Sequence, residues 1–165
     1  MAEFRVRADS ALAGKRLGDL RLRERHGVAV IGQWFGGLFT TAKGPDTQVQ
    51  PGAILVVDSI SGAGALELRT DEWSVDVLVT GSQKALMTPP GLAAVAVSPK
   101  AWELVDAATL PAYYFCFKKA RKKFNSDSPE SPFTPPVSLV KGMSVAMDIL
   151  LEEGMEEAWE RHRVL

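Results

Sequence analysis

The stretch DVLVTGSQKALMTPPG, residues 76–91, places Lys84 just behind an apolar run and a small polar turn, Thr80-Gly81-Ser82. A lysine at a strand end in such surroundings is expected to be desolvated, which favours its neutral amine and suits it to imine formation. Asp58 closes a second apolar run, AILVVD, 26 positions upstream, so an amine and a carboxylate each stand at the end of a strand. Other chemistry-bearing types are sparse. His26 and His162 have no partners at ligand spacing, and the single Cys116 leaves no Cys-rich metal site and no internal disulfide. Gly62-Ala63-Gly64 is too short and wrongly placed for a dinucleotide loop. KKARKK, Lys118 to Lys123, reads as the basic face of a solvated helix in acidic surroundings, not as a nucleic-acid patch. The expectation is no metal and no nucleic acid.

The elements that must position these groups follow from pattern and punctuation. The first third reads as short strands around one helix. Phe4, Val6 and Ala8 alternate as a strand, and Ser10 or Asp9 is placed to cap a helix through Leu12, Leu17 and Leu20 that stops at His26-Gly27. VAVIGQW is strand material, Gly36-Gly37 a hairpin turn, FTTA a second strand, and Gly44-Pro45-Asp46 and Gln50-Pro51-Gly52 further turns. AILVVD reads as a strand buried on both faces. One crossover from it to DVLVTGS sets Asp58 and Lys84 at the same carboxyl edge of a sheet, where open α/β sheets bind ligands. Val140, Met143, Met147 and Leu151 recur at helical spacing and are expected to pack.

Composition bounds the class. A chain of 165 residues, 46% hydrophobic and 24% charged, is that of a soluble globular protein with one good core or two small ones. The formal charge of −1 gives no general attraction to nucleic acid or anionic membrane. No apolar run approaches spanning length, MAEFRVRADS has no signal-peptide core, and one cysteine fits a reducing cytoplasm.

Two resemblances divide the chain. ALAGKRLGDLRLRERHGVAVIGQWFGGLFTTAKGPDTQVQPGAILVV resembles the RCK-C (TrkA-C) domain, with Gly14, Lys15, Leu17, Leu20, Pro45, Gly52, Leu55 and Val56 in the family pattern and Ala53 where it has an acid. This resemblance covers about residues 4–57 and implies dimer formation and small-ligand sensing, as in potassium-transport regulators. From residue 54 to 165 the chain is very similar to the serine–pyruvate and alanine–glyoxylate aminotransferases, the class V branch of the fold-type I pyridoxal-phosphate enzymes. The match runs through DVLVTGSQKALMTPPG, LPAYYFCFKKARKKF, SPFTPPVSLVKGM and LLEEGMEEAWERHRVL. The two meet in PGAILVVD.

The second resemblance implies pyridoxal 5'-phosphate as cofactor, with Lys84 as the Schiff-base lysine and catalytic acid/base, and Asp58 as partner of the ring nitrogen. It further implies that Gln83 holds the phosphate, that Thr134 reaches a phosphate across a dimer interface, and that amino acids and 2-oxo acids are substrates of a homodimer. Each residue has a plainer reading. A lysine after a strand is ordinarily a solvated loop residue, a strand-ending aspartate a turn or cap residue, and Thr134 before Pro135-Pro136 a helix cap. No segment of residues 1–57 matches the phosphate-gripping loop or ring-stacking aromatic of those enzymes, and their substrate-binding arginine belongs to a domain later than Leu165. The expectation is therefore an α/β chain of two parts. An RCK-C-like β/α unit, residues 1–57, is merged through one sheet with a partial aminotransferase large-domain segment, residues 58–165, whose site is incomplete. The rivals are a non-catalytic ligand-binding or dimerisation module, and a recombined chain without selected function.

Overall fold

The computed structural model of the chain describes residues 2–3, 13–21, 30–35, 38–50 and 53–165. Six strands form one sheet in the order β3-β2-β1-β4-β5-β6. These are β1 (Ala2–Glu3), β2 (Val30–Phe35), β3 (Leu38–Thr41), β4 (Val56–Asp58), β5 (Val77–Gly81) and β6 (Ala93–Val97). The expected merged sheet is present. β4 stands between the first third of the chain and the rest, antiparallel to β1 at Glu3↔Val56 and parallel to β5 at Val56↔Val77, Val57↔Leu78 and Asp58↔Val79.

The AILVV run explains why β4 is central. Ala53, Ile54, Leu55 and Val57 are buried, and Leu55 and Val57 pack with Leu68, Val75 and Leu78. A parallel pair needs a crossover of a dozen or more residues, usually a helix. Here residues 59–76 cross over in successive turns instead. The crossover closes on Asp76, 3% exposed. Its carboxylate accepts the Leu55 N–H at 3.0 Å and the Ser98 hydroxyl at 3.1 Å, and Lys100 Nζ lies 3.3 Å from each of its oxygens. Its backbone N–H reaches Leu55 O at 2.9 Å, and its carbonyl accepts Ser98 N–H at 2.8 Å.

Five helices complete the described chain: α1 (Leu17–Leu20), α2 (Pro99–Ala107), α3 (Phe117–Phe124), α4 (Val137–Glu153) and α5 (Met155–Val164). Ser98 caps α2 by accepting Ala101 N–H, with Pro99 at the first position. Gly154, at φ +93°, turns α4 into α5, where Leu150, Ala158 and Leu86 form a core with Met143, Met147 and Met155. Arg161 bridges that corner to Glu153 with two hydrogen bonds.

Several expected elements differ. α1 begins only at Leu17, because Gly14 lies at φ +74° and Arg16 is extended, bridging Gln48. Residues 4–12 and 22–29, with the expected Phe4–Val6–Ala8 strand and the ends of that helix, lie outside the described residues. In α4 the packing face is Met143, Ala146, Met147 and Leu150, while Val140 and Leu151 are exposed. Thr134 is no cap: Pro136 holds that position and no side chain caps α4. The basic helix α3 buries none of its residues, as a solvated helix should.

Two outcomes follow. Asp76→Ala leaves Leu55 N–H and the Ser98 hydroxyl without their buried acceptor and is expected to cost about 3 kcal/mol in urea unfolding, with Asp76→Asn costing roughly half. The first third, where Leu20, Val49, Ala13 and Leu17 cluster, has no separate sheet among the described residues. It shares a sheet with the rest, so calorimetry is expected to show a single transition. Two resolved transitions, or a proteolytically stable fragment ending near Asp58, would contradict it.

Candidate functional site

Asp58 ends β4, and Lys84 follows the end of β5 by three residues. The parallel register puts both at the carboxyl edge of neighbouring strands, as the spacing predicts. Asp58 Oδ1 accepts Ile60 N–H at 3.1 Å, and Ser59 N–H continues the ladder to Val79 O at 2.8 Å. The Asp58 turn is therefore closed on itself at Ile60 and fastened to β5 through Ser59.

Lys84 itself is exposed, as are Gln83 and Asp58. The expectation of a desolvated lysine is corrected. The reason is local: the turn at residues 82–86 points Ser82 and Leu86 inward and presents Gln83 and Lys84 outward, with Ala85 half-buried. Leu86 seats the turn in the α4–α5 core with Leu150 and Ala158. Gly64, at φ +92°, closes over it; a Cβ there would lie 3.4 Å from Ala85 Cβ, 3.4 Å from Leu86 Cδ2 and 3.5 Å from Leu150 Cδ2. Gly81 has Ile60 Cγ2 and the Gln83 side chain at similar range, so the strand end passes close beneath the site.

Thr134 is elsewhere. It is exposed and lines an open cleft of about 1340 Å³ with Val95, Trp102, Phe117, Arg121 and Phe133. Neither Lys84 nor Asp58 lines that cleft, so the structure joins Asp58, Gln83 and Lys84 but leaves Thr134 apart. The basic run beside the cleft is committed to neighbours. Lys118 Nζ donates to the Asp106 and Ala108 carbonyls at the end of α2, Arg121 pairs with Asp106 over the Trp102 ring, and Lys123 pairs with Glu130. Among the described residues no three His, Cys, Asp or Glu side chains gather as metal ligands. Sequence reasoning missed Asp76, Ser82 and Thr88, whose buried polar side chains hold the site's framework. The available signal was a polar residue on either side of apolar runs.

A family model described as aminotransferase class-V matches residues 40–165, and one described as TrkA-C domain matches residues 1–61. The two overlap around β4. The soluble hydrogenase small subunit of a Synechococcus species is 44% identical over 113 residues, covering 68% of this chain and 29% of that protein. The L-aspartate–glyoxylate aminotransferase of Paracoccus denitrificans is 44% identical over 110 residues, 67% of this chain and 27% of its own. The crystal structure of pyridoxamine-pyruvate aminotransferase from Mesorhizobium loti superposes with a TM-score of 0.61 at 37% identity, covering 67% of this chain and 29% of that one. The chain thus spans under a third of the length of the curated relatives it matches.

The packing of Gly64 on the lysine turn is open to a direct check. Gly64→Ala meets its neighbours at ordinary contact distance, so its cost is that of the positive φ. A loss of about 1–2 kcal/mol in denaturant unfolding is expected, whereas an unchanged midpoint would mean the turn does not hold that conformation.

Proposed function

We propose a function from one premise: the chain belongs to the aminotransferase class-V family. It is a pyridoxal-phosphate-dependent aminotransferase segment of the serine–pyruvate/alanine–glyoxylate type, fused behind a TrkA-C-like module at residues 1–57. The observation that carries this reading is the placement of Asp58 and Lys84 at one edge of the parallel β4–β5 pair. The residues present fit the cofactor. An accessible amine and a carboxylate rise from adjacent strand ends, and Gly81 keeps the strand end between them small.

When bound, pyridoxal phosphate supplies the electron sink that makes a substrate α-proton removable. Lys84 Nζ would hold the cofactor and would serve as the base and acid for the substrate α-proton. Asp58 would pair with the ring nitrogen, Gln83 would donate a hydrogen bond to the phosphate, and Thr134 would serve a phosphate in a partner copy. The separation of Thr134 from Lys84 supports that last role, and with it a homodimer. Amino acids and 2-oxo acids are the substrates. The match of residues 1–61 to the TrkA-C domain supports a second role for the first third, small-ligand binding as a regulatory module. No helix among the described residues is long and apolar enough to cross a membrane, and we assign the chain to the cytoplasm on its single cysteine.

Exposure of Lys84, Gln83 and Asp58 supports attachment without efficient turnover by these 165 residues alone. A wet, mobile amine forfeits the positioning that contributes several kcal/mol in enzymes. Incubation with pyridoxal phosphate followed by borohydride is expected to leave a phosphopyridoxyl group on Lys84 by peptide mass spectrometry, weakened in Asp58→Ala and lost in Lys84→Ala. Labelling spread evenly over Lys118, Lys119, Lys122 and Lys123 would sink the cofactor site. Pyruvate formation from alanine and glyoxylate is expected to stay near the rate of free cofactor. Robust turnover that vanishes in Lys84→Ala would show the site to be complete in the assembled protein.

A further inference from the structure

The residues that flank Lys84 make a closed set of hydrogen bonds that the proposed chemistry does not itself require. Ser82 is fully buried. Its hydroxyl donates to Pro89 O at 2.7 Å and accepts Leu92 N–H at 3.2 Å, while its own N–H donates to Leu92 O at 3.1 Å. Its carbonyl accepts twice from Thr88, from the N–H at 3.0 Å and from the hydroxyl at 2.9 Å. Thr88 is also buried. Ser82 therefore ties residues 88, 89 and 92 to a single point, and residues 83–87 are the short bulge that the tie leaves over. Within the bulge Met87 N–H closes on Lys84 O at 2.9 Å, and Met87 itself sits at φ +57°, a conformation a non-glycine side chain adopts only when its surroundings impose it.

We infer that this Ser82–Thr88 lock is the positioning device for Lys84, fixing the backbone from which its exposed side chain reaches; the inference rests on the reading of Lys84 as the cofactor lysine. The argument is one of constraint. An exposed lysine has four rotatable side-chain bonds, so only its backbone can be held, and the lock holds that backbone at both ends of a five-residue bulge. Leu86, seated against Leu150 and Ala158, supplies the third point and removes rotation about the axis through the other two. Pro89 and Pro90 stiffen the return limb, since their φ is fixed by the ring. Thr88 is the member to alter. Its hydroxyl is a donor that valine lacks at nearly equal volume, and serine retains it.

Hydrogen exchange of the chain without cofactor tests the lock first. The amides of Thr88 and Leu92, in a loop, are expected to be protected like ladder amides, because they donate to Ser82; exchange at the rate of open peptide would overturn the inference without any variant. In Thr88→Val the amides of Ala85 to Met87 are expected to exchange roughly tenfold faster, while those of β4 and β5 hold their rates, which shows the fold to be intact. The second readout is the share of phosphopyridoxyl on Lys84, against Lys118 and Lys141, after brief exposure to pyridoxal phosphate and borohydride. That share is expected to fall several-fold in Thr88→Val and to return in Thr88→Ser. A purely structural role would change unfolding without moving the share. An unchanged share beside accelerated exchange therefore overturns the positioning role. If the wild-type chain shows no preference for Lys84, the cofactor reading fails, and exchange alone then decides whether the lock exists.

Discussion

Burying Asp76 is the constraint from which the rest of this structure follows. A carboxylate taken out of water is costly unless its oxygens are occupied, and here three residues from two elements must converge to occupy them. Leu55 comes from the entry to β4, Ser98 from the cap of α2, and Lys100 from its first turn. With two backbone hydrogen bonds added, the start of β5 is pinned to the start of β4 at one register. A slip of one residue would turn Leu78 away from Leu55 and Val57 and reverse the faces of the whole strand. It would also move Asp58 relative to Lys84. A buried carboxylate at the far end of the strands thus fixes the geometry at the near end, across the three paired positions of the β4–β5 ladder.

The sheet shared by the two halves has the same logic at a larger scale. A strand has two edges and two faces. β4 gives one edge to β1 and the other to β5, so it serves both parts through backbone hydrogen bonding. Among the described residues Leu55 and Val57 pack with Leu68, Val75 and Leu78, all from the later part, and Leu20 and Val49 cluster with Ala13 and Leu17. What β4 gives to both parts is a strand edge. That is why a short strand such as AILVVD fits two family patterns at once, since both ask only for an apolar run ending beside a turn.

What was legible in the sequence divides along physical lines. Strand ends were readable, because β-branched apolar runs stop at small polar residues, and so the common edge of Asp58 and Lys84 was expected and is present. Burial at that edge was not readable. Whether Lys84 faces in or out depends on the turn, and the turn is set by hydrogen bonds from Ser82 to residues as far away as Leu92. Local pattern carries no such information. The packing face of helix α4 was read in half, Met143 and Met147 but not Val140 and Leu151, for a related reason. Val140, Met143, Met147 and Leu151 lie at helical spacing, but so do Met143, Ala146 and Leu150, and apolar residues on both faces leave the phase undetermined. The face that is buried carries Ala146 and Leu150, with Leu150 packed on Leu86 and Ala158. The early helix was overread because Leu12, Leu17 and Leu20 keep the period while Gly14, at positive φ, breaks it.

The basic run on α3 shows why charge alone is a poor guide to partners. Read as a string, KKARKK is a cluster of cations near aromatic rings, the ingredients of a nucleic-acid surface. In space its charges answer to neighbours one helix or one loop away. Lys118 satisfies the Asp106 carbonyl and the Ala108 carbonyl at the carboxyl end of α2, where the helix dipole favours a cation. Arg121 stacks 4.2 Å over Trp102 while its guanidinium meets the Asp106 carboxylate, and Lys123 meets Glu130. At Arg121 and Lys123 a phosphate would have to displace an acid already in place, and a cation that keeps its acid gives a phosphate little field to follow. The run is better understood as the fastening of α3 to α2 and to the segment before Pro132. That segment leads into Phe133 and Thr134, which line the cleft together with Glu130, so the same fastening lies in the cleft's wall.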